Sequence, residues 1–198
     1  MPKFAHIAIA TLLLFAFLTQ TCSEDVTPKP RGYFRISFPE KVYKQLDKPL
    51  PYNFLVPVYS AVTPDLLNPD QKDWITLEIA GNNAQIHISY KKIENNLAKL
   101  IEESRTLVYN HSAKASSIEE KIYINHAYKT YGTLYTLKGN AASPMQFYLT
   151  DSVKNFIRGA LYFKELPNYD SLRPVINFLS ADVIKMIETT KWEDSNGR

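Results

Sequence analysis

In Trp74-Ile75-Thr76-Leu77-Glu78-Ile79-Ala80-Gly81-Asn82-Asn83-Ala84-Gln85-Ile86-His87-Ile88-Ser89-Tyr90, two alternating runs meet across a Gly-Asn-Asn turn. Ile75, Leu77 and Ile79 share one side of the first run. Ile86, Ile88 and Tyr90 share one side of the second, with His87 and Ser89 on the other. A period of two on both sides of a tight turn predicts a β-hairpin with one buried face. The period changes near residue 93. Ile93, Leu97, Leu100, Ile101, Ser104, Leu107 and Val108 recur at helical spacing, and the stripe ends near Tyr109. Strand patterns resume over 118–124, 129–137, 144–149 and 155–163, joined by Asn125-His126, Gly139-Asn140 and Asp151-Ser152. A last helix is predicted from Ser171 to Thr189, with Leu172, Val175, Ile176, Leu179, Val183 and Ile187 on one side and Pro174 in its first turn.

Upstream, Phe34, Ile36 and Phe38 alternate with polar residues and predict a strand ended by Pro39. Tyr52 to Val58, bounded by Pro51 and Pro57, predicts an edge strand, where a missing amide is tolerated. Asp65 to Asp73 reads as a polar loop. The short connections favour antiparallel neighbours. The fold class is therefore α+β, an antiparallel sheet flanked by two main helices. Its element order resembles the Mog1/PsbP-like α/β/α sandwich, with another α+β arrangement of the same pieces as the alternative.

The N-terminus obeys a different logic. Phe4 to Leu18 is almost continuously apolar, follows Lys3, and ends at Thr19-Gln20-Thr21-Cys22. Fewer than the roughly 20 residues of a membrane span are apolar, so residues 1–21 read as a lipoprotein signal peptide. Cys22, the only cysteine, becomes the lipidation site. Thr19 stands where the lipoprotein pattern prefers Leu, so an ordinary signal peptide and an uncleaved anchor remain alternatives. Residues 22–31 read as the lipidated N-terminus and a tether, 32–190 as one globular domain, and 191–198 as a polar tail.

Composition excludes several function classes. The 198 residues carry 23 Lys and Arg against 20 Asp and Glu, and no basic run predicts nucleic-acid binding. Thirteen Tyr and ten Phe fit a sheet-rich core, or a partner-binding aromatic face. His87, His111 and His126 stand apart, so no zinc spacing is present. Asp65, Asp70 and Asp73 lack the spacing of a calcium loop. No nucleophile elbow or phosphate-cradling glycine loop occurs. The expectation is a non-enzyme, without cofactor or metal.

The segment from Leu137 to Phe163 holds the candidate partner or ligand surface: Gly139, Asn140, Ser143 and Arg158. Gly139 can turn the backbone, and the small residues after it permit close approach. Arg158 either satisfies an internal acceptor or projects into a groove, where a guanidinium could clamp an acid.

Specific motifs add a resemblance. Lys29-Pro30-Arg31-Gly32-Tyr33-Phe34-Arg35-Ile36, His87-Ile88-Ser89-Tyr90, Gly139-Asn140-Ala141-Ala142-Ser143 and Arg158-Gly159-Ala160-Leu161-Tyr162-Phe163 resemble the gliding motility lipoprotein GldD family of Bacteroidota. Pro174-Val175-Ile176-Asn177-Phe178 extends the likeness across nearly the whole mature chain. The resemblance implies a non-enzymatic cell-envelope lipoprotein required for gliding, an assembly or accessory factor linked to type IX secretion. It implies membrane lipid through acylated (palmitate-type) Cys22 and the gliding or type IX machinery as partners. The implied site is the outer membrane, facing the periplasm. The alternative is a periplasmic module binding a small ligand, peptidoglycan or lipid.

Overall fold

A computed structural model describes residues 36–110 and 114–193. The leader, Cys22 and the tether lie outside the described residues. The hairpin forms as its alternation requires: β5 (Ile75–Ile79) and β6 (Ala84–Lys92) pair in antiparallel register from Ile75↔Ile88 to Ile79↔Ala84. The turn between them is a single 3-10 turn, closed by Asn83 at φ 48°. Asn tolerates that left-handed conformation better than most residues.

Seven strands make the main sheet, in the order β4-β5-β6-β10-β9-β8-β7. The remaining members are β4 (Ala61–Pro64), β7 (Ala115–Asn125), β8 (Thr130–Gly139), β9 (Met145–Thr150) and β10 (Asn155–Phe163). Every pairing is antiparallel. Two meanders, β4-β5-β6 and β7-β8-β9-β10, are thus joined along β6 and β10, from Lys92↔Asn155 to Ala84↔Phe163. β6 ends mid-sheet while β7 begins at the far edge, so the chain must cross a face of the sheet. Helix α1 (Leu97–Asn110) makes that crossing.

The two faces differ. On one, Ile75, Leu77, Ile86, Ile88, Leu149 and Ile157 are buried in the main core with Leu179, Val183 and Met186 of α2 (Tyr169–Thr189). On the other, polar residues such as Gln85, His87 and Ser89 alternate along β6 beside aromatic ones such as Tyr135 and Phe156, and α1 covers only part of them. Its Val108 is buried with Tyr135, Leu137 and Ala141. A sheet covered fully on one side and partly on the other is what alternating strands predict.

Three sequence expectations meet corrections. Of the strand expected over 34–38, residues 34 and 35 lie outside the described residues and 36–38 form none; Phe38 instead stacks on Phe178 of α2, with centroids 4.3 Å apart and planes 12° apart. Tyr52 to Val58 is not an edge of the main sheet. It divides into β2 (Tyr52–Asn53) and β3 (Leu55–Pro57). The latter pairs with β1 (Tyr43–Gln45), and β2 pairs with β11 (Lys191–Trp192). Phe54 separates the two, and the Leu55 amide donates to Thr189 Oγ1 of α2 rather than to a strand. Helix α2 starts two residues earlier than expected, capped by Asn168, whose side chain accepts from the Ser171 amide. Pro174 therefore falls beyond the first turn. No described helix is long and apolar enough to cross a membrane.

Candidate functional site

The half-covered face leaves a groove of about 500 Å³ between α1 and the β6–β10 seam. Its floor follows from strand pleating. Gln85, His87, Ser89 and Lys91 of β6, and Phe156, Arg158 and Tyr162 of β10, are alternate residues on that face. One wall is the helical stripe Leu100, Glu103, Ser104 and Leu107, spaced to lie on one side of α1. Asp65, Leu67, Asn68 and Trp74, from the loop before β5, make the other wall.

Most polar groups around the groove already have partners. Trp74 Nε1 donates to the Tyr90 carbonyl at 2.7 Å, which fixes the indole. Ser104 Oγ donates to the Leu100 carbonyl at 2.9 Å. The Asp65 carboxylate accepts from the Leu67 amide at 2.9 Å and from Asn68 Nδ2 at 3.2 Å, and so turns into its own loop. Lys91 Nζ lies 3.1 Å from Glu103 Oε2, with Lys99 3.9 Å from the other oxygen. His87 Nδ1 is 3.1 Å from Thr76 Oγ1, and its ring stands edge-on to Tyr162.

Arg158 is the exception. Its Nη2 donates to Gln146 Oε1 at 2.5 Å, a neutral acceptor, and its Nε is buried without a hydrogen-bond partner. Such a donor is uncommon in a folded interior, where most buried polar groups have a partner. In register, Arg158 lies between Ser89 of β6 and Tyr148 of β9.

The four expected surface residues fall in two neighbourhoods. Arg158 opens on the groove. Gly139, Asn140 and Ser143 lie where β8 turns into β9. There Gly139 adopts φ 96°, and a Cβ on it would stand 2.8 Å from the Ser116 amide nitrogen. Asn140 Oδ1 accepts from the Tyr169 amide at 2.9 Å, holding the start of α2. Ser143 is wholly buried and donates to the Met145 carbonyl at 3.2 Å. The void beside this turn is about 10 Å³, too small for a ligand.

A second polar cluster escaped the sequence reading. Asp182 of α2 is wholly buried and accepts from Lys41 Nζ at 2.7 Å, Tyr59 Oη at 2.5 Å and Tyr43 Oη at 2.9 Å. Lys41 also donates to the Phe178 carbonyl at 2.8 Å. Burial pushes the Lys41 amine below its ordinary value, against the bond and charge of Asp182. Burial and then Asp182 push the Tyr43 and Tyr59 phenols up. Three donors occupy the carboxylate, which makes this a closed tie between the N-terminal arm and α2, with no site for substrate. A lone Asp among apolar helix residues, at positions otherwise read as core, was the available signal.

Among the described residues no group of three or more His, Cys, Asp or Glu could hold a metal ion. The fold and site together define an α+β domain with a mostly apolar groove on the half-covered face of its sheet. The chain belongs to the gliding motility lipoprotein GldD family, whose model matches residues 23–192. Membership makes it a cell-envelope lipoprotein of Bacteroidota with a non-enzymatic role in gliding motility. No curated protein matches the chain. The solution structure of cyanobacterial PsbP (CyanoP) from Synechocystis sp. PCC 6803 is similar at 8% identity, covering 81% of this chain and 98% of that one, with a TM-score of 0.48.

Proposed function

We propose that this chain is a lipid-anchored assembly or accessory factor of the gliding apparatus, linked to type IX protein secretion. Lipidated Cys22 holds it on the outer membrane facing the periplasm, and one surface engages another gliding or secretion protein. Family membership over residues 23–192 carries this reading. The surface that supports it is the outer edge of β7, which among the described residues has a strand on one side only. Ile122 and Ile124 are 73% and 62% exposed on that edge, and the strand leads back to the Gly139–Asn140 corner through Ala115↔Gly139. An open edge with exposed Ile residues can take an added strand from a partner.

Crosslinking the tagged, lipidated protein in its native envelope tests the reading. A photo-crosslinker at Ile122 is expected to capture gliding or type IX components, and Cys22→Ala to abolish that capture. The same probe at Leu166, 88% exposed in the segment before α2, is the control. Equal yields from both positions, or a deletion strain with normal adhesin secretion and normal motor complexes, would refute the proposal.

A further inference from the structure

We propose that the groove between α1 and the β6–β10 seam binds a single-chain anionic amphiphile. Its acid group meets Arg158, and its chain lies along Leu67, Trp74, Leu100, Leu107 and Phe156. This inference goes beyond the assembly role and does not rest on it.

Size comes first. At about 500 Å³ the groove lies within the range of small-molecule sites, roughly 300–1,000 Å³. Both floor strands are interior, with β6 paired to β5 and β10, and β10 paired to β6 and β9. No backbone edge is therefore available inside it for an added strand, which argues against an extended peptide.

Chemistry narrows the class further. A saccharide needs many free donors and acceptors, yet Trp74 Nε1, Ser104 Oγ and the Asp65 carboxylate are all engaged within the protein. What the walls offer is apolar area. Leu67 and Leu107 stand at the mouth 82% and 42% exposed, and covering them releases water at about 25 cal/mol per Å².

Charge identifies the head group. Of the two cations lining the groove, Lys91 is paired with Glu103, whereas the partner of Arg158 is the neutral Gln146 amide. Among the described residues the guanidinium thus has a neutral amide and no carboxylate as its side-chain partner. A carboxylate or phosphate monoester in the groove would supply the counter-charge and accept from the terminal Nη donors, which suit either acid.

The test uses the full chain carrying Cys22→Ala, so that no attached lipid competes. Dodecanoate and dodecyl phosphate, below their micellar concentrations, are titrated by calorimetry and by Trp fluorescence, since Trp74 lines the groove. Dodecan-1-ol and butanoate serve as tail-only and head-only controls. One acid is expected per chain, bound at least about tenfold more tightly than either control. The tighter of the two acids identifies the head group, and saturable binding of either supports the site. Arg158→Gln is expected to weaken acid binding about tenfold and leave dodecan-1-ol unchanged, with an unfolding midpoint no lower than the parent's. Leu107→Glu, at the mouth, is expected to weaken both. Absence of saturable acid binding, equal affinity for acid and alcohol, or an Arg158→Gln variant that binds the acid as well as the parent overturns the proposal.

Discussion

Gly159 carries a prediction that tests the packing beneath the groove. It sits at the centre of β10, directly opposite Phe147 of β9. Phe147 is 3% exposed, and its ring lies over the place where a side chain on residue 159 would be. A Cβ added there would fall 2.2 Å from Phe147 Cζ and 2.3 Å from Cε1. Ordinary contact begins near 3.4 Å, so the ring must retreat by more than 1 Å within a filled core. Overpacking of this kind costs about 1–3 kcal/mol, against roughly 0.5–1 kcal/mol gained by replacing a strand glycine with alanine. The net expectation for Gly159→Ala is a loss of about 1–2 kcal/mol, or about 2–8 °C in Tm for a domain of this size. Urea unfolding followed by circular dichroism measures it. The double variant Gly159→Ala with Phe147→Leu provides the internal check, because a smaller partner admits the new methyl. Its loss should be smaller than the sum of the single losses by about 1 kcal/mol. A Gly159→Ala protein as stable as the parent, or strictly additive losses, would refute the account.

Two further perturbations probe the ties on either side of the sheet. Asp182→Asn removes the charge that three donors share, with Lys41 29% exposed and able to reach water. The expected loss is about 2–3 kcal/mol, and Lys41→Met with Asp182→Leu should lose less than the two single changes together, as double-mutant unfolding would reveal. Asp151 closes the β9–β10 turn by accepting from the amides of Val153, Lys154 and Asn155 at 2.8, 2.7 and 2.9 Å. Burial alone would raise its carboxyl, but those amides and the Asn155 side chain outweigh burial and hold it below the ordinary value. A depressed carboxyl contributes stability that is complete above the unfolded value, near pH 4, and is lost as pH falls through the folded one. Asp151→Ala should therefore cost about 1 kcal/mol at neutral pH, discounted for its partial exposure, and much less at pH 2. An equal loss at both pH values would show that the turn does not depend on the charge.

The sequence made some features legible because they rest on local periodicity. Ile86, Ile88 and Tyr90 alternate, so β6 was readable, and the Leu97–Val108 stripe announced α1. The element boundaries mostly moved by a few residues, as frayed ends do. What local pattern could not express was the partner of each segment. Tyr52 to Val58 looks like one strand, yet its halves pair with segments on opposite sides of it in the chain. The register of β6 against β10 spans a helix and three strands, and nothing local encodes it. The candidate site divides the same way. Arg158 stood out as a charge interrupting an apolar strand, and pleating puts it on the open face. The other groove walls come from residues 65–74 and 100–107, which no spacing rule connects to it.

That division has a physical consequence for binding. Gly159 and Arg158 are neighbours on β10, so they point to opposite faces. The glycine lets the Phe147 ring settle onto the strand from the core side, while the arginine looks into the groove from the other. Anything that lifts β10 off Phe147 must also shift the guanidinium. The tightly packed face thus fixes the position of the charge on the open one, as a preorganised binding group requires. The same reasoning predicts that Gly159→Ala weakens acid binding even though residue 159 never touches the ligand. Relieving the clash with Phe147→Leu should then recover affinity, although the double variant stays less stable than the parent. If affinity instead follows only Arg158→Gln and is indifferent to Gly159, the floor of the groove is compliant. Arg158 would then find the acid by its own side-chain freedom.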